Sequence, residues 1–344
     1  LSTPPAPGPI GALFRRFRID GYLLLILLMV VVASVAPARG EAAVAASWIT
    51  KVAIGLVFFL HGARLSREAV IGGLTHWRLH LVVLASTFVV FPLICLGLAA
   101  LPGWITPAAL APGLIFLGCL PSTIQSSIGF TVIARGDVPA AVASASASNL
   151  IGMFLTPLLV SVLLHAQGGR VSADQVWSIV LQLLAPFLAG QLLRRWIGDW
   201  VKARAPILTK IDRGSILLVV YTAFSGAVVE GVWSRLGAAD LARLIVICGV
   251  LLAAVLALTA FAARALGFSK PDEIAIVFCG SKKSLASGAP MAGVLFPAAT
   301  AGIALLPLMV FHQFQLMACA VIAQRYARRA EKAAVERASS GEML

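Results

Sequence analysis

Phe278-Cys-Gly-Ser-Lys-Lys-Ser-Leu-Ala-Ser-Gly288 places Lys282 and Lys283 in the middle of an apolar run that extends from Ile274 to Phe296. Lys282 follows Asp272 by ten residues, about 15 Å along a continuous helix and further than a lysine stem comfortably snorkels. At the centre of a lipid-facing helix each lysine would cost about 2.5–3.5 kcal/mol on insertion scales. Both are therefore expected to face protein or a water-filled cavity. Gly280, Ser281, Gly288 and Pro290 flank the pair and predict an interrupted helix. Interrupted helices at membrane depth are where secondary transporters hold substrates and ions. The run predicts a transporter.

Composition agrees. The 344 residues are 60% hydrophobic and only 12% charged, against about 25% charged in a soluble domain. Apolar blocks such as Leu23–Ala36, Leu81–Leu101 and Leu244–Ala263 match a bilayer core about 30 Å thick. The lipid bilayer is thus one expected partner. The net charge of +13 shows no basic stripe interleaved with aromatics, so no nucleic-acid partner is expected. All five cysteines lie inside apolar blocks and read as small buried hydrophobes rather than a disulfide framework. There is no HExxH, nucleotide-binding loop or paired-carboxylate site. Neither a catalytic residue nor a cofactor is expected.

The pattern divides into ten spans, at 21–37, 47–65, 79–101, 107–134, 138–165, 175–197, 214–233, 241–267, 273–296 and 298–325. Basic residues in the first or last turn of a span count with the adjoining connection. The terminal tails and alternate connections then hold 20 of the 27 Lys and Arg residues, and the opposite connections hold 4. Lys51, Lys282 and Lys283 fall within spans. This asymmetry places both termini in the cytoplasm and the chain in the inner (plasma) membrane. The expected organisation is a tail at 1–20, a membrane unit at 21–329 and a second tail at 330–344. Arg194–Arg213, with Trp196 and Trp200, reads as an amphipathic connector lying on the inner leaflet.

Spans 4 and 9 resemble one another. Cys119 and Ser127 are eight residues apart, as are Cys279 and Ser287, and Pro139-Ala-Ala141 is matched by Pro297-Ala-Ala299 once two residues of slack are allowed. Five spans separate the copies, so the second half would sit inverted in the membrane.

Three stretches, LPSTIQSSIGFTVIARGDVPAAVASASASN (120–149), FCGSKKSLASGAPMA (278–292) and FHQFQL (311–316), resemble the bile-acid:sodium symporter superfamily. The second is similar to the SBF-like subgroup typified by the seventh member of the vertebrate carrier family. The resemblance implies an all-α polytopic membrane protein with ten transmembrane helices in two inverted five-helix repeats. Spans 1, 2, 6 and 7 would form a panel, and spans 3–5 and 8–10 a core in which broken helices 4 and 9 cross. It also implies uptake of an organic anion coupled to sodium. In bile-acid carriers the broken ninth helix supplies a glutamate, a glutamine and an asparagine to two sodium sites. Aligned by the break, this chain has Cys279, Lys283 and Ser284. A family glutamine falls on Thr87, a serine–asparagine pair on Ser126-Ser127, and two hydroxyl positions on Ala141 and Ala145. Losing a carboxylate and gaining two cations argues against the same paired sodium sites.

The candidate substrate- and ion-binding residues are Lys282 and Lys283 with Ser281 and Ser284; Ser122, Thr123, Gln125, Ser126 and Ser127 after Pro121; and Asn149, Thr87, His312 and Gln313. No metal site is defined, but sodium remains a candidate coupling ion, with Ser126, Ser127 and Ser284 as its candidate oxygens. Ser144 and Ser148 read as packing positions, and His61 and Arg64 as residues at the membrane boundary. The reading that follows is a secondary active transporter of a small organic anion, coupled to sodium or protons. The rivals are a transport-inactive regulatory protein of the same fold and an intramembrane Ser–Lys hydrolase.

Overall fold

The computed structural model describes residues 21–64, 76–166, 173–231 and 236–339. The expected tail at 1–20 lies outside the described residues, as do 340–344. Regular structure among the described residues is helical throughout. In chain order the helices are α1 (Gly21–Val35), α2 (Gly40–Arg64), α3 (Trp77–Ala99, with a π-helical turn at Ser86–Val90), α4 (Ala111–Cys119), α5 (Gln125–Ile133), α6 (Val138–Ala166), α7 (Ala173–Ala203), α8 (Ala205–Val229), α9 (Ala238–Ala265), α10 (Lys270–Gly280), α11 (Leu285–Leu295) and α12 (Ala298–Ser339). Six of them, α2, α3, α6, α8, α9 and α12, are each long and apolar enough to cross a membrane. Large apolar side chains cover their outer faces; Val246 is 64% exposed and Phe261 71%, as expected for lipid-facing positions.

Several boundaries differ from the sequence reading, two of them substantially. Arg194–Arg213 is not a separate connector: α7 continues through Ala203 and α8 starts at Ala205. Pro206 falls in the first turn of α8, where its missing N–H forfeits no intrahelical bond, so nothing there stops the helix from beginning early. In the same way α12 extends well past residue 325, to Ser339.

Helices α2 and α7 cross with their backbones in contact. A Cβ on Gly62 would lie 2.0 Å from the Phe187 carbonyl oxygen, and one on Gly190 would lie 2.0 Å from that of Phe59. Backbone therefore meets backbone at this crossing, which only glycine permits.

Two helical lines are interrupted in mid-course. Leu120 precedes Pro121, and a residue before proline is pushed out of the helical region. Leu120 has φ −72° and ψ 152°, and α4 stops at Cys119. In the other line α10 stops at Gly280, and Ser284, with φ −83° and ψ 111°, starts α11. Its hydroxyl accepts the Ser287 N–H at 3.1 Å, a serine N-cap. The interruptions face each other, and the Ser284 N–H donates to the Pro121 carbonyl at 2.9 Å.

Candidate functional site

A helix that stops leaves its last carbonyls without N–H partners, and in a buried site each must be satisfied. At the end of α10 serine hydroxyls do this. Ser127 donates to the Phe278 carbonyl at 2.9 Å, Ser122 to Cys279 at 2.6 Å, and Ser86 to Gly280 at 2.9 Å. Ser281 turns back to Val277 at 2.5 Å.

At the end of α4 the partner is a cation. The Lys283 Nζ donates to the carbonyls of Gly118 at 2.6 Å, Leu120 at 2.7 Å and Thr87 at 2.7 Å. Three donors meet three acceptors, so the ammonium is fully satisfied. The first two acceptors belong to the negative end of a half-helix. The third follows from the sequence of α3. In the π turn the Phe91 N–H bonds to Ser86, so Thr87 would need the N–H of residue 92, a proline. Its freed carbonyl goes to the lysine. The Phe91 ring lies 4.2 Å below the ammonium, a cation–π contact. Gln315 clamps the same residue's backbone, accepting the Lys283 N–H and donating to its carbonyl, both at 2.9 Å.

Lys282 points elsewhere. Its Nζ donates to the Ser126 carbonyl at 2.9 Å and sits 4.1 Å from the Phe130 ring and 5.1 Å from that of Phe278. Both lysines are fully buried, at 0% exposure. Among the described residues the hydrogen bonds of both ammonium groups go to carbonyls and none to a serine hydroxyl, the contact a Ser–Lys nucleophile requires.

Beside the crossing lies a cavity of about 540 Å³. Thr123, Gln125, Ser126, Asn149, Ser284 and His312 reach it, while Lys282, Lys283, Ser281, Ser122, Ser127, Thr87 and Gln313 are not among the residues that line it. Thr123 and Ser126 share a hydrogen bond through their hydroxyls. Asn149 joins the two interruptions: its amide donates to the Ser122 carbonyl at 2.7 Å and its oxygen accepts from Ser287 at 2.7 Å. Of the three candidate sodium oxygens, Ser126 and Ser284 line the cavity and Ser127 does not. Thr87 contributes its carbonyl, because its hydroxyl bonds back to Val83 at 2.8 Å.

Several residues were missed or misplaced by the sequence reading. Ser148 accepts the Ser122 N–H at 3.0 Å, and Ser144 shares a 2.6 Å bond with the His80 Nδ1, so neither is only a packing position. His61 and Arg64, in the last turn of α2, also line the cavity, together with Asp212 and Arg213 from α8. Those last two were hidden by the assignment of 194–213 to a connector. Gln315 stood inside the FHQFQL stretch, three residues after His312 and bonded to its Nδ1 at 2.8 Å. Spacing on the helix was the signal that could have found it.

Apolar helices of bilayer length, two of whose lines are interrupted where they meet beside a cavity, define a membrane protein built like a carrier. The chain matches the SBF-like CPA transporter family over residues 20–328. It belongs to that family. It is 58% identical over 321 residues to the uncharacterized protein PA2026 of Pseudomonas aeruginosa, covering 93% of this chain and 96% of that one. To the conjectured symporter YfeH of Escherichia coli it is 51% identical over 333 residues, covering 95% and 99%. To sodium/bile acid cotransporter 7-B of Xenopus laevis it is 28% identical over 323 residues, covering 90% and 92%.

Proposed function

We propose that this protein is a secondary active transporter that moves an organic anion across the cell membrane by alternating access. One observation carries the reading: both interruptions deliver polar groups to the same cavity, Thr123, Gln125 and Ser126 from one and Ser284 and Ser287 from the other. Tyr22, Phe58, Phe187 and Ile216, from α1, α2, α7 and α8, line it together with residues of α5, α6, α11 and α12. That division supports a panel of α1, α2, α7 and α8 rocking against a core made of the rest. The proposed arrangement is ten transmembrane helices in two inverted five-helix repeats, with the α4–α5 and α10–α11 lines as the crossing helices. With both termini in the cytoplasm, a cavity that includes Arg64 and Thr209 would open inward.

Coupling in this reading does not use two sodium sites. Lys283 holds the α4 carbonyl end permanently, as a bound cation would hold it transiently. A sodium ion about 4 Å from an ammonium would be repelled by about 4 kcal/mol at an effective dielectric of 20. That is close to three powers of ten in affinity. A proton then becomes the favoured coupling ion.

The test is uptake of a labelled steroid carboxylate such as cholate by proteoliposomes, with sodium replaced by potassium and with an imposed pH gradient. Persistence in potassium is expected, together with a dependence on the pH gradient. Uptake that requires sodium would overturn the coupling proposal. A fixed cation also suits a protein of this fold that has given up transport, and failure of uptake for every organic anion tried would select that reading.

A further inference from the structure

Gln315 of α12 makes three hydrogen bonds that together dictate the state of a histidine on the cavity wall. Its Oε1 accepts the Lys283 N–H and its Nε2 donates to the Lys283 carbonyl, both at 2.9 Å. A backbone N–H only donates and a carbonyl only accepts, so the amide cannot be turned over without losing both bonds. The second N–H of Nε2 is left for the His312 Nδ1, 2.8 Å away. Two N–H groups cannot share that bond. Nδ1 is therefore the acceptor, and the imidazole is neutral with its proton on Nε2. Gln315 is fully buried, whereas half-buried His312 lines the cavity. The pair thus runs from the cavity wall to the backbone of the α10–α11 interruption.

A proton arriving at Nδ1 makes it a donor and sets it against the Gln315 N–H. Releasing Gln315 would strand a buried N–H and a buried carbonyl of Lys283. Turning the imidazolium toward the cavity strands only one amide N–H, and is the cheaper course. The other titratable residues on this cavity are Tyr22 of α1, His61 and Arg64 of α2, and Asp212 and Arg213 of α8. Asp212, the one carboxylate among these, is paired with Arg64. Of the helices packed against α12, α5 and α11 carry no titratable residue and α4 carries Cys119. Helix α9 carries Cys248 in mid-course, with Asp240, Arg243 and Arg264 toward its ends, and α8 adds Lys210 and Tyr221 away from the cavity. At the interruption itself stand Lys282 and Lys283, both bonded to carbonyls. Among the described residues, then, no unpaired carboxylate meets a charge on His312 at the cavity, and that charge stays uncompensated until an anion enters.

We infer that His312 is the group that binds the coupling proton, and that Gln315 links its protonation to the α10–α11 interruption. In the unloaded state a neutral ring is bonded to Gln315; in the loaded state an imidazolium is turned toward the anion. Proton and anion each raise the affinity for the other by the same factor, as linkage requires. The inference rests on the proposal that this protein is a proton-coupled carrier of an anion.

NMR of the full chain in lipid nanodiscs, with isotope-labelled histidine rings, reports the proton directly. The chain has five histidines, and the signal that disappears in His312→Gln is the one to follow. At alkaline pH it should show the proton on Nε2, and at acid pH an imidazolium. Gln315→Glu replaces the amide donor with a carboxylate acceptor and should move the proton of the neutral ring to Nδ1. The second readout is cholate uptake by proteoliposomes, measured over protein-free liposomes with and without an inward proton gradient. One proton per anion gives about a tenfold rise in accumulation for each unit of pH difference. The parent should show that rise and His312→Gln should not. The inference is overturned by a neutral parent ring protonated on Nδ1, or by a ring unchanged between about pH 5 and about pH 9. A gradient response that survives in His312→Gln overturns it too. Where a variant is inactive with and without the gradient, the NMR result decides alone. The expected NMR result without uptake of any anion by the parent would leave the proton site standing and remove the transport reading.

Discussion

The Lys283 ammonium lies 2.7 Å from the Leu120 carbonyl, across 163 residues of chain, and so ties one helix interruption to the other. The bond is one of three to carbonyls at a place where two helix lines lose their internal hydrogen bonding. A lysine is covalently retained, so it cannot diffuse away as a bound ion would. The interruptions are therefore held together by the chain itself.

Replacing Lys283 with Met should destabilise the protein more than replacing Lys282 with Met. The first change leaves three buried carbonyls unpaired, each costing about 1–3 kcal/mol, so a loss of at least about 3 kcal/mol is expected. The second removes one carbonyl bond and two ring contacts, for about 1–3 kcal/mol. Thermal unfolding of the detergent-solubilised variants measures both. A Lys283 variant that melts with the parent would show that its three bonds carry no stability.

Glycine contacts between α2 and α7 give a second expectation. Gly62→Ala and Gly190→Ala each drive a methyl to 2.0 Å from a backbone oxygen, so the helices must separate and the yield of folded protein should collapse. Gly55→Ala and Gly97→Ala meet nothing within 4 Å and should be neutral or stabilising by about 0.5–1 kcal/mol, the usual gain for Gly to Ala within a helix. Size-exclusion profiles of the four variants decide it; equal profiles for all four would mean that the crossing is looser than described.

Both interruptions were legible because their causes are local. Pro121 disfavours helix at Leu120, and Gly280 with its neighbouring serines ends α10. That Lys282 and Lys283 avoid lipid was legible from their cost alone. Which surface each lysine would meet was not. The acceptors of Lys283 lie 163 to 196 residues away, and one exists only because a π turn places Thr87 opposite Pro92. Nor could hydropathy find Asp212, since α8 begins before its apolar stretch does. The hydroxyls of Ser122 and Ser127 were noticed as oxygens, yet they act as donors to the end of α10. Residue type alone does not fix that direction.

Gln313 and Gln315 of α12 should separate cleanly. Gln315 is fully buried and holds both backbone groups of Lys283. Gln315→Leu leaves a buried N–H and a buried carbonyl unpaired and should cost about 2–6 kcal/mol, at 1–3 for each. Gln313 Oε1 is buried without a partner among the described residues, so Gln313→Leu should lie within about 1 kcal/mol of the parent. Chemical denaturation in mild detergent compares them. The reverse order would mean that Gln313, the one singled out from sequence, is the structural residue.

Ion dependence of stability probes the fixed cation most directly. A ligand that binds only the folded state raises its stability in proportion to the logarithm of its concentration over Kd. With Lys283 filling the carbonyl nest, the parent should melt at the same temperature in sodium and in potassium. Lys283→Ala empties the nest while keeping the acceptors of Gly118, Leu120 and Thr87. That variant should melt lower and recover part of the loss in methylammonium, whose charged head can reoccupy the position. Recovery of about 1.4 kcal/mol would correspond to a roughly tenfold excess of cation over its Kd. A parent stabilised by sodium but not by potassium would place a sodium site beside the lysines after all. A Lys283→Ala variant indifferent to every cation would mean that the nest closes once the lysine is gone.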